Sequence, residues 1–372
     1  MNPSALRISH VEIYKCPILL EEPFIISLGT FTHAWNVVVR IHTCEGITGT
    51  GECSPFVSIN GESMDTCFIV GQYLAQALKG QNPLDIATCT RIMNRSIYAN
   101  ASIKSAFDMA LYDIAALHAG QPLYRILGGK RGKKMQIDNT VSLDSPQKMV
   151  QDAKKMARDG FEIIKVKLGD SKEADVERIR CIREALGAEI ALRIDANQGW
   201  KPDEALGILQ ALYPYDIAYC EEPIPRWAFM ALPDIRRNSP IPIMADESCC
   251  DHHDAERLLQ LNACDMLNIK LGKSGGIYDA LMIIEIAVKR GVPVQIGGFL
   301  ESRLGFTAAA HLALVSDIVQ FYDFDSPLTF MEDPVLGGIT YGPHGEINLP
   351  ETPGLGAEIE PGYLGKLEKV VV

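Results

Sequence analysis

A chain of 372 residues, 47% hydrophobic, can bury a large core, and 47 acidic against 35 basic side chains leave a net charge of -12 that argues against nucleic acid or anionic membrane as a partner. Its 10 cysteines are scattered and form no CxxC pair, so they read as reduced, mostly buried thiols of a cytoplasmic protein. The first ten residues, MNPSALRISH, carry no signal-peptide pattern, and no apolar run approaches the ~20 residues of a membrane span.

In chain order, residues 1–130 mix strands and helices. Val11 to Tyr14 and Val37 to Ile41 are apolar and β-branched and predict strands. Gly46, Gly49 and Gly51 punctuate a hairpin that leads to Glu52. Helical periodicity follows from Asp65 to Leu78 and from Ser102 to His118, where Ala106, Met109, Ala110, Asp113 and Ala116 allow tight packing. This predicts an α+β domain. Leu127 to Gly129 and the basic run KRGKK then connect to a new one.

From residue 131 to 330 strands and helices alternate. Strands are predicted at Met135 to Val141, Ile163 to Val166, Ile190 to Ile194, Ala218 to Cys220, Ile241 to Met244, Met266 to Ile269, Val292 to Ile296 and Ile318 to Phe321. Amphipathic helices fit between them, as at Ser145 to Arg158, Asp170 to Leu186 and Lys201 to Leu212. Eight strands with helical crossovers predict a parallel α/β barrel. Residues 331–372 are rich in glycine and proline, too irregular for a barrel element, and are expected to return to the first domain.

Barrel active sites lie at the C-terminal ends of the strands. Here those ends are charged. The second carries Lys165 and Lys167, the third Asp195 and Asn197, the fourth Glu221 and Glu222. The fifth carries Asp246 and Glu247, the sixth Lys270, the eighth Asp323 and Asp325. Residues two apart on a strand share a face, so Lys165 and Lys167 project into one place. Neighbouring strands are ~4.8 Å apart, so Asp195, Glu221 and Asp246 can converge. Three carboxylates repel unless a cation joins them, and all-oxygen ligation favours Mg²⁺, or Mn²⁺, over zinc. The second and sixth strands face one another across a closed barrel, which sets one amine on each side of that group.

This set resembles the enolase superfamily in its muconate-lactonizing subgroup. The resemblance rests on K-x-K (Lys165, Lys167), D-x-N (Asp195, Asn197), E-E-P (Glu221), D-E-S (Asp246) and Lys270, and covers nearly the whole chain. It implies a (β/α)7β-type modified TIM barrel, with a capping domain formed by the N-terminal region and the C-terminal tail. It implies Mg²⁺ on Asp195, Glu221 and Asp246, with Asn197 and Glu247 in support. The superfamily's known chemistry, a Lys or His base with Mg²⁺ stabilising an ene-diolate, is carried over as an expectation. Lys167 and Lys270 would act as acid and base on opposite faces of one carbon, a 1,1-proton transfer. Lysine titrates at about 10.4 unperturbed, so the neighbouring Lys165 charge is expected to lower the pKa of Lys167 and to stabilise the enolate.

The eighth strand discriminates within the subgroup. Asp323 and Asp325 share a strand face and need a cation, which the free α-ammonium of a dipeptide supplies; a solvated loop or helix N-cap is the other reading. The motif resembles the ammonium site of dipeptide epimerases. N-acylamino-acid racemase, o-succinylbenzoate synthase and muconate cycloisomerase are the alternatives, together with a barrel that binds metal or ligand without catalysis. Pro23 to Thr30 resembles the mobile capping loop. Relatives acting on Ala-Glu carry an arginine near the place of Gly29, and this chain has no cation from Phe24 to Thr30. Phe24, Ile25, Ile26, Gly298, Phe299 and Leu300, with Thr140 on the first strand, are therefore expected around a neutral or apolar dipeptide. Glu52, Glu62 and Glu301 leave a cationic side chain open. Phe24 and Phe299 fit a ring-stacked pocket or an ordinary core contact equally. A homo-oligomer is expected.

Two other motifs carry less. Gly272 to Ser274 has the end of a P-loop, but Leu267 stands where its upstream glycine is required. Cys249, Cys250, His252 and His253 lack zinc-finger spacing and read as a helix start. Trp200 either lines the mouth or caps the barrel.

Overall fold

The computed structural model describes residues 6–372. The reading of the first ten residues therefore falls partly outside the described residues. A four-stranded antiparallel sheet opens the chain, built from β1 (Ile8–Ile26), β2 (Gly29–Thr43), β3 (Thr48–Cys53) and the terminal strand Lys369–Val371, which pairs with β1. The chain's end thus lies in the same sheet as its beginning.

The run Val37 to Val39 is apolar without alternation because both sheet faces are covered. Val11, Ile13, Val37, Val39 and Ile41 pack on helices Met64–Leu78 and Ala101–His118, while Tyr14, Cys16, Ile18 and Val38 face the barrel core. The hairpin between β2 and β3 turns at Gly46, whose φ of +85° favours glycine. Gly49 and Gly51 have a different use from the one expected. They lie within β3, where a Cβ would fall 2.1 Å from the Ala110 carbonyl and 2.0 Å from that of Ala106. Their bareness lets helix Ala101–His118 lie on the strand.

Eight parallel strands follow in sequential order: β4 (Asn139–Val141), β5 (Ile163–Lys167), β6 (Ala191–Asp195), β7 (Ile217–Glu221), β8 (Ile243–Ala245), β9 (Met266–Lys270), β10 (Val294–Gly297) and β11 (Val319–Tyr322). The Asp138 N–H reaches the Tyr322 carbonyl at 3.4 Å across the seam between β4 and β11. The first strand is shorter than predicted. Gln136 bridges Glu346 and the Ile137 N–H bonds Gly345, so the C-terminal region takes that stretch's backbone. Helix Ile86–Ser96, capped by the Asp85 side chain, was not predicted, because its sequence is polar on most sides. No helix among the described residues is long and apolar enough to cross a membrane.

One carboxylate joins cap to barrel. Asp108, buried on helix Ala101–His118, accepts the first N–H groups of helix Ile277–Arg290 from Ile277 at 2.5 Å and Tyr278 at 3.3 Å. It serves that helix as an N-cap supplied from elsewhere in the chain, since Gly276 at the cap position has no side chain to offer.

Candidate active site

Strand register builds the site. Lys167 pairs with Asp195 across β5 and β6, and Asp195 pairs with Glu221 across β6 and β7. Asp246 follows the end of β8, and Lys270 ends β9. Just beyond the strands the backbone enters the left-handed region at Asn197 (φ +40°), Gln198 (φ +67°) and Glu222 (φ +32°). Such conformations cost on the order of 1–3 kcal/mol each and gather at functional sites.

The lysines hold the carboxylates. Lys165 Nζ lies 2.8 Å from Glu221, 3.2 Å from Asp195 and 2.9 Å from Asp323. Lys167 Nζ lies 2.6 Å from Asp195 Oδ2, and Lys270 Nζ 2.7 Å from Asp246 Oδ2. All are buried. Burial alone would lower the Lys165 pKa, but Asp323, Glu221 and Asp195 raise it well above the usual lysine value. Lys165 therefore stays charged. Burial likewise would raise Asp195, but Lys167, Lys165 and Lys270 hold it below the ordinary carboxylate range. The expected direct repulsion between Lys165 and Lys167 is mediated: both ammoniums sit on Asp195 Oδ2.

Among the described residues no three His, Cys, Asp or Glu side chains surround one ion-sized point, because ammonium groups take their oxygens. The donor set nonetheless suits a hard divalent cation. Asp195 Oδ1 is anchored by the Asn197 N–H at 2.8 Å, Glu221 Oε1 by Asn268 Nδ2 at 2.8 Å, and Asp246 Oδ1 by Lys273 Nζ at 2.6 Å. The second oxygens face the lysines, with Gln295 Nε2 also 3.3 Å from Glu221 Oε2. Glu247 Oε2 and Asn197 Oδ1 are buried without a donor. Unmet buried acceptors beside three oriented carboxylates are what a Mg²⁺ site presents.

One small cavity collects most of the expected residues. Lys167, Lys270, Asn197, Thr140, Asp323, Asp325, Phe24, Gly298 and Phe299 line it. Asp325 accepts the Thr140 N–H at 2.7 Å, and burial with the Asp323 charge pushes its carboxyl up to about 6. Gly29 and Leu300 do not line this cavity. Gly29 stands at the lid hairpin's tip, where an added Cβ would meet only the Phe31 ring, and Leu300 borders an adjoining chamber of about 380 Å³ that shares Phe24, Thr140, Phe299 and Asp325. Glu52, Glu62 and Glu301 are spent on backbone N–H groups: of Ser302 and Gly305, of Ser102 and Ile103, and of Phe299. None of these three acids lines the small cavity. Trp200 is buried behind the site, donating to Asp175 at 2.8 Å, so it packs the barrel end and leaves the mouth to others.

Sequence reasoning missed Phe56 and Ile59, which enter the cavity wall from the cap, whereas Ile26, expected around the substrate, does line the cavity. It missed Lys273, which grips Asp246 and three main-chain carbonyls. A lysine three residues beyond Lys270 was the available signal, set aside there as part of a failed P-loop.

A family model described as Mandelate racemase / muconate lactonizing enzyme, N-terminal domain, matches residues 9–128, and one described as Enolase C-terminal domain-like matches residues 148–363. The chain belongs to this family of the enolase superfamily. Its relatives include the D-Ala-D/L-Ala epimerase of Cytophaga hutchinsonii, 60% identical over 98% of this chain and 99% of that protein. The hydrophobic dipeptide epimerase of Enterococcus faecalis is 38% identical over 94% of this chain and 99% of that one. Among solved structures, the dipeptide epimerase from Cytophaga hutchinsonii complexed with Mg and D-Ala-L-Val superposes with a TM-score of 0.98 at 60% identity, covering 98% of this chain and all of that one.

Proposed function

We propose that this protein is a Mg²⁺-dependent dipeptide epimerase, an isomerase that inverts the α-carbon beside the dipeptide carboxylate, acting on neutral or hydrophobic dipeptides. The observation that carries the reading is the placement of Lys167 and Lys270 at the ends of β5 and β9, four strands apart in an eight-stranded sheet, with Asp323 and Asp325 lining the same cavity.

Asp195, Glu221 and Asp246 would hold the metal, which when bound draws off negative charge as it develops on the substrate carboxylate. Lys165, kept charged by its three carboxylates, adds positive charge at that end. Asp323 and Asp325 orient the substrate ammonium, which fixes the α-carbon between the amines. Lys167 takes the α-proton on one face, and Lys270 returns a proton on the other. The reverse order serves the other epimer. Phe24, Phe56, Ile59 and Phe299 close the cavity, exclude water and present apolar surface to the substrate side chain.

The relatives named above act on D-Ala-D/L-Ala and on hydrophobic dipeptides, which supports the neutral preference. A cytoplasmic homo-oligomer belongs to the same proposal. Free cysteines support the compartment, and exposed Trp227 and Met230 support the association. The test is a dipeptide library in D₂O with Mg²⁺, read by mass. Deuterium at the α-carbon of neutral dipeptides is expected. Exchange on N-acylamino acids and none on dipeptides would overturn the reading in favour of a racemase.

A further inference from the structure

Each amine at the reaction cavity has an aromatic ring against it. The Phe24 ring centroid lies 5.8 Å from Lys167 Nζ, and that of Phe299 lies 4.9 Å from Lys270 Nζ. The rings are held differently. Phe24 belongs to the lid, just after a break in register between Leu19 and Phe24 of β1. Phe299 sits in the turn after β10, where the main chain is tied at several points. Ser54 Oγ accepts the Leu300 N–H at 3.2 Å, and Asn36 Nδ2 donates to the Leu300 carbonyl at 2.9 Å. The main chain of Phe299 itself is held by Glu301, whose Oε2 accepts the Phe299 N–H at 2.5 Å. Glu301 is 6% exposed. Its carboxyl packs over Gly298, where a Cβ would come within 2.6 Å of Oε2. The mechanism proposed above gives Glu301 no part.

We infer that Glu301 is a positioning residue for Lys270: by holding the Phe299 N–H it keeps the Phe299 ring against the Lys270 amine, and so governs proton transfer on that face alone. The inference rests on the two-amine reading. A ring face attracts an ammonium and keeps water from it, which limits the directions open to a long, flexible side chain. Losing that support misplaces the amine, and a shift of about 1 Å at a reacting centre costs about 100-fold. Lys167 has its own ring from another element, so its face is independent of Glu301. Burial pushes the Glu301 carboxyl up to about 8, so the group meets the N–H as a neutral acid at pH 7, a form that an amide copies.

The test compares Glu301→Ala, Glu301→Gln and wild type, following deuterium wash-in separately from each epimer of one dipeptide. Glu301→Ala is expected to slow the Lys270 face by about 10- to 100-fold while the Lys167 face stays within about twofold, and Glu301→Gln is expected to restore the slowed face. Equal loss on both faces, or no loss, overturns the inference. Should the alanine variant not fold, Glu301→Asp carries the same test, since it keeps the carboxyl but withdraws it from the Phe299 N–H. A crystal structure of the variant supplies a readout without turnover: a Phe299 ring unmoved from Lys270 overturns the inference. Absence of exchange in the wild type would instead sink the two-amine reading, and the crystal structure would still decide the place of Glu301.

Discussion

The Ser27 hydroxyl donates to the Asn197 carbonyl at 2.7 Å, which ties the lid to the turn that follows the carboxylate Asp195. A second tie runs from the Leu143 N–H to the Ile25 carbonyl at 2.9 Å. Between these ties lies Ile26, a wall of the reaction cavity, and Phe24 stands just before them. The hairpin between β1 and β2 is thus bonded to the backbone of the turn that follows β6. Asn197 also holds a left-handed conformation, φ +40°, so the lid grips a segment with few other conformations to choose from.

Ser27→Ala should loosen the lid and leave the chemistry intact. One hydrogen bond contributes about 1 kcal/mol, so KM is expected to rise about fivefold with little change in kcat. Steady-state kinetics on a neutral dipeptide measure this. An unchanged KM would show that the Leu143–Ile25 tie holds the lid alone.

Lys167→Ala and Lys270→Ala should each remove exchange from one epimer and spare the other. General acid–base groups contribute about 10²- to 10⁴-fold, and epimerisation should fall by at least that in both variants. Proton NMR in D₂O, started from each pure epimer, separates the faces. A Lys270→Ala enzyme that still exchanges equally from both epimers would exclude the two-base scheme.

Asp325→Asn should weaken substrates with a free ammonium. Asp325 accepts the Thr140 N–H through Oδ2 and lines the reaction cavity beside Asp323. Hydrogen bonds to charged groups contribute about 1.5–3 kcal/mol, so kcat/KM for dipeptides should drop about 10- to 100-fold. An N-acetylated dipeptide, lacking the ammonium, should show no such difference between wild type and variant.

Mg²⁺ should stabilise the fold. The three carboxylates are distant in sequence, so the site exists only in the folded chain. At a hundred times its dissociation constant a ligand adds about 2.7 kcal/mol. Thermal melts with Mg²⁺ should exceed those in EDTA, and Asp246→Asn should erase the difference. Equal melts for the wild type under both conditions would remove the metal from the site.

The catalytic row was legible because each member ends a short apolar run, and strand order alone then places it. The alternation of Lys165 and Lys167 and the adjacency of Asp195 and Glu221 follow from strand geometry. What was not legible depends on long-range packing. Phe56 and Ile59 reach the cavity through the cap's docking on the barrel, which no local pattern encodes. Gly49 and Gly51 look like turn residues until helix Ala101–His118 is laid on them. The sharing of Asp195 Oδ2 by Lys165 and Lys167 was hidden for a related reason: like charges on one strand face suggest repulsion, while the carboxylate between them comes from the next strand.

His311 offers a pH test remote from the site. It is fully buried, accepts the Tyr124 N–H at 3.1 Å through Nδ1 and pairs through Nε2 with the Leu355 carbonyl at 3.0 Å. That arrangement requires the neutral ring. Burial lowers its pKa from 6.5 to about 4. Because the folded pKa is the lower one, the unfolded chain binds the extra proton between those values. The contribution to stability is therefore intact above pH 6.5 and is lost progressively as pH falls toward 4. Between pH 7 and pH 5 the loss amounts to about 2 kcal/mol. His311→Gln keeps one acceptor and one donor but cannot titrate. Its urea midpoint should fall less than that of the wild type over this interval, and the difference between the two slopes isolates His311 from the carboxylates that titrate in both. Parallel slopes would mean that the ring takes up its proton without leaving the fold.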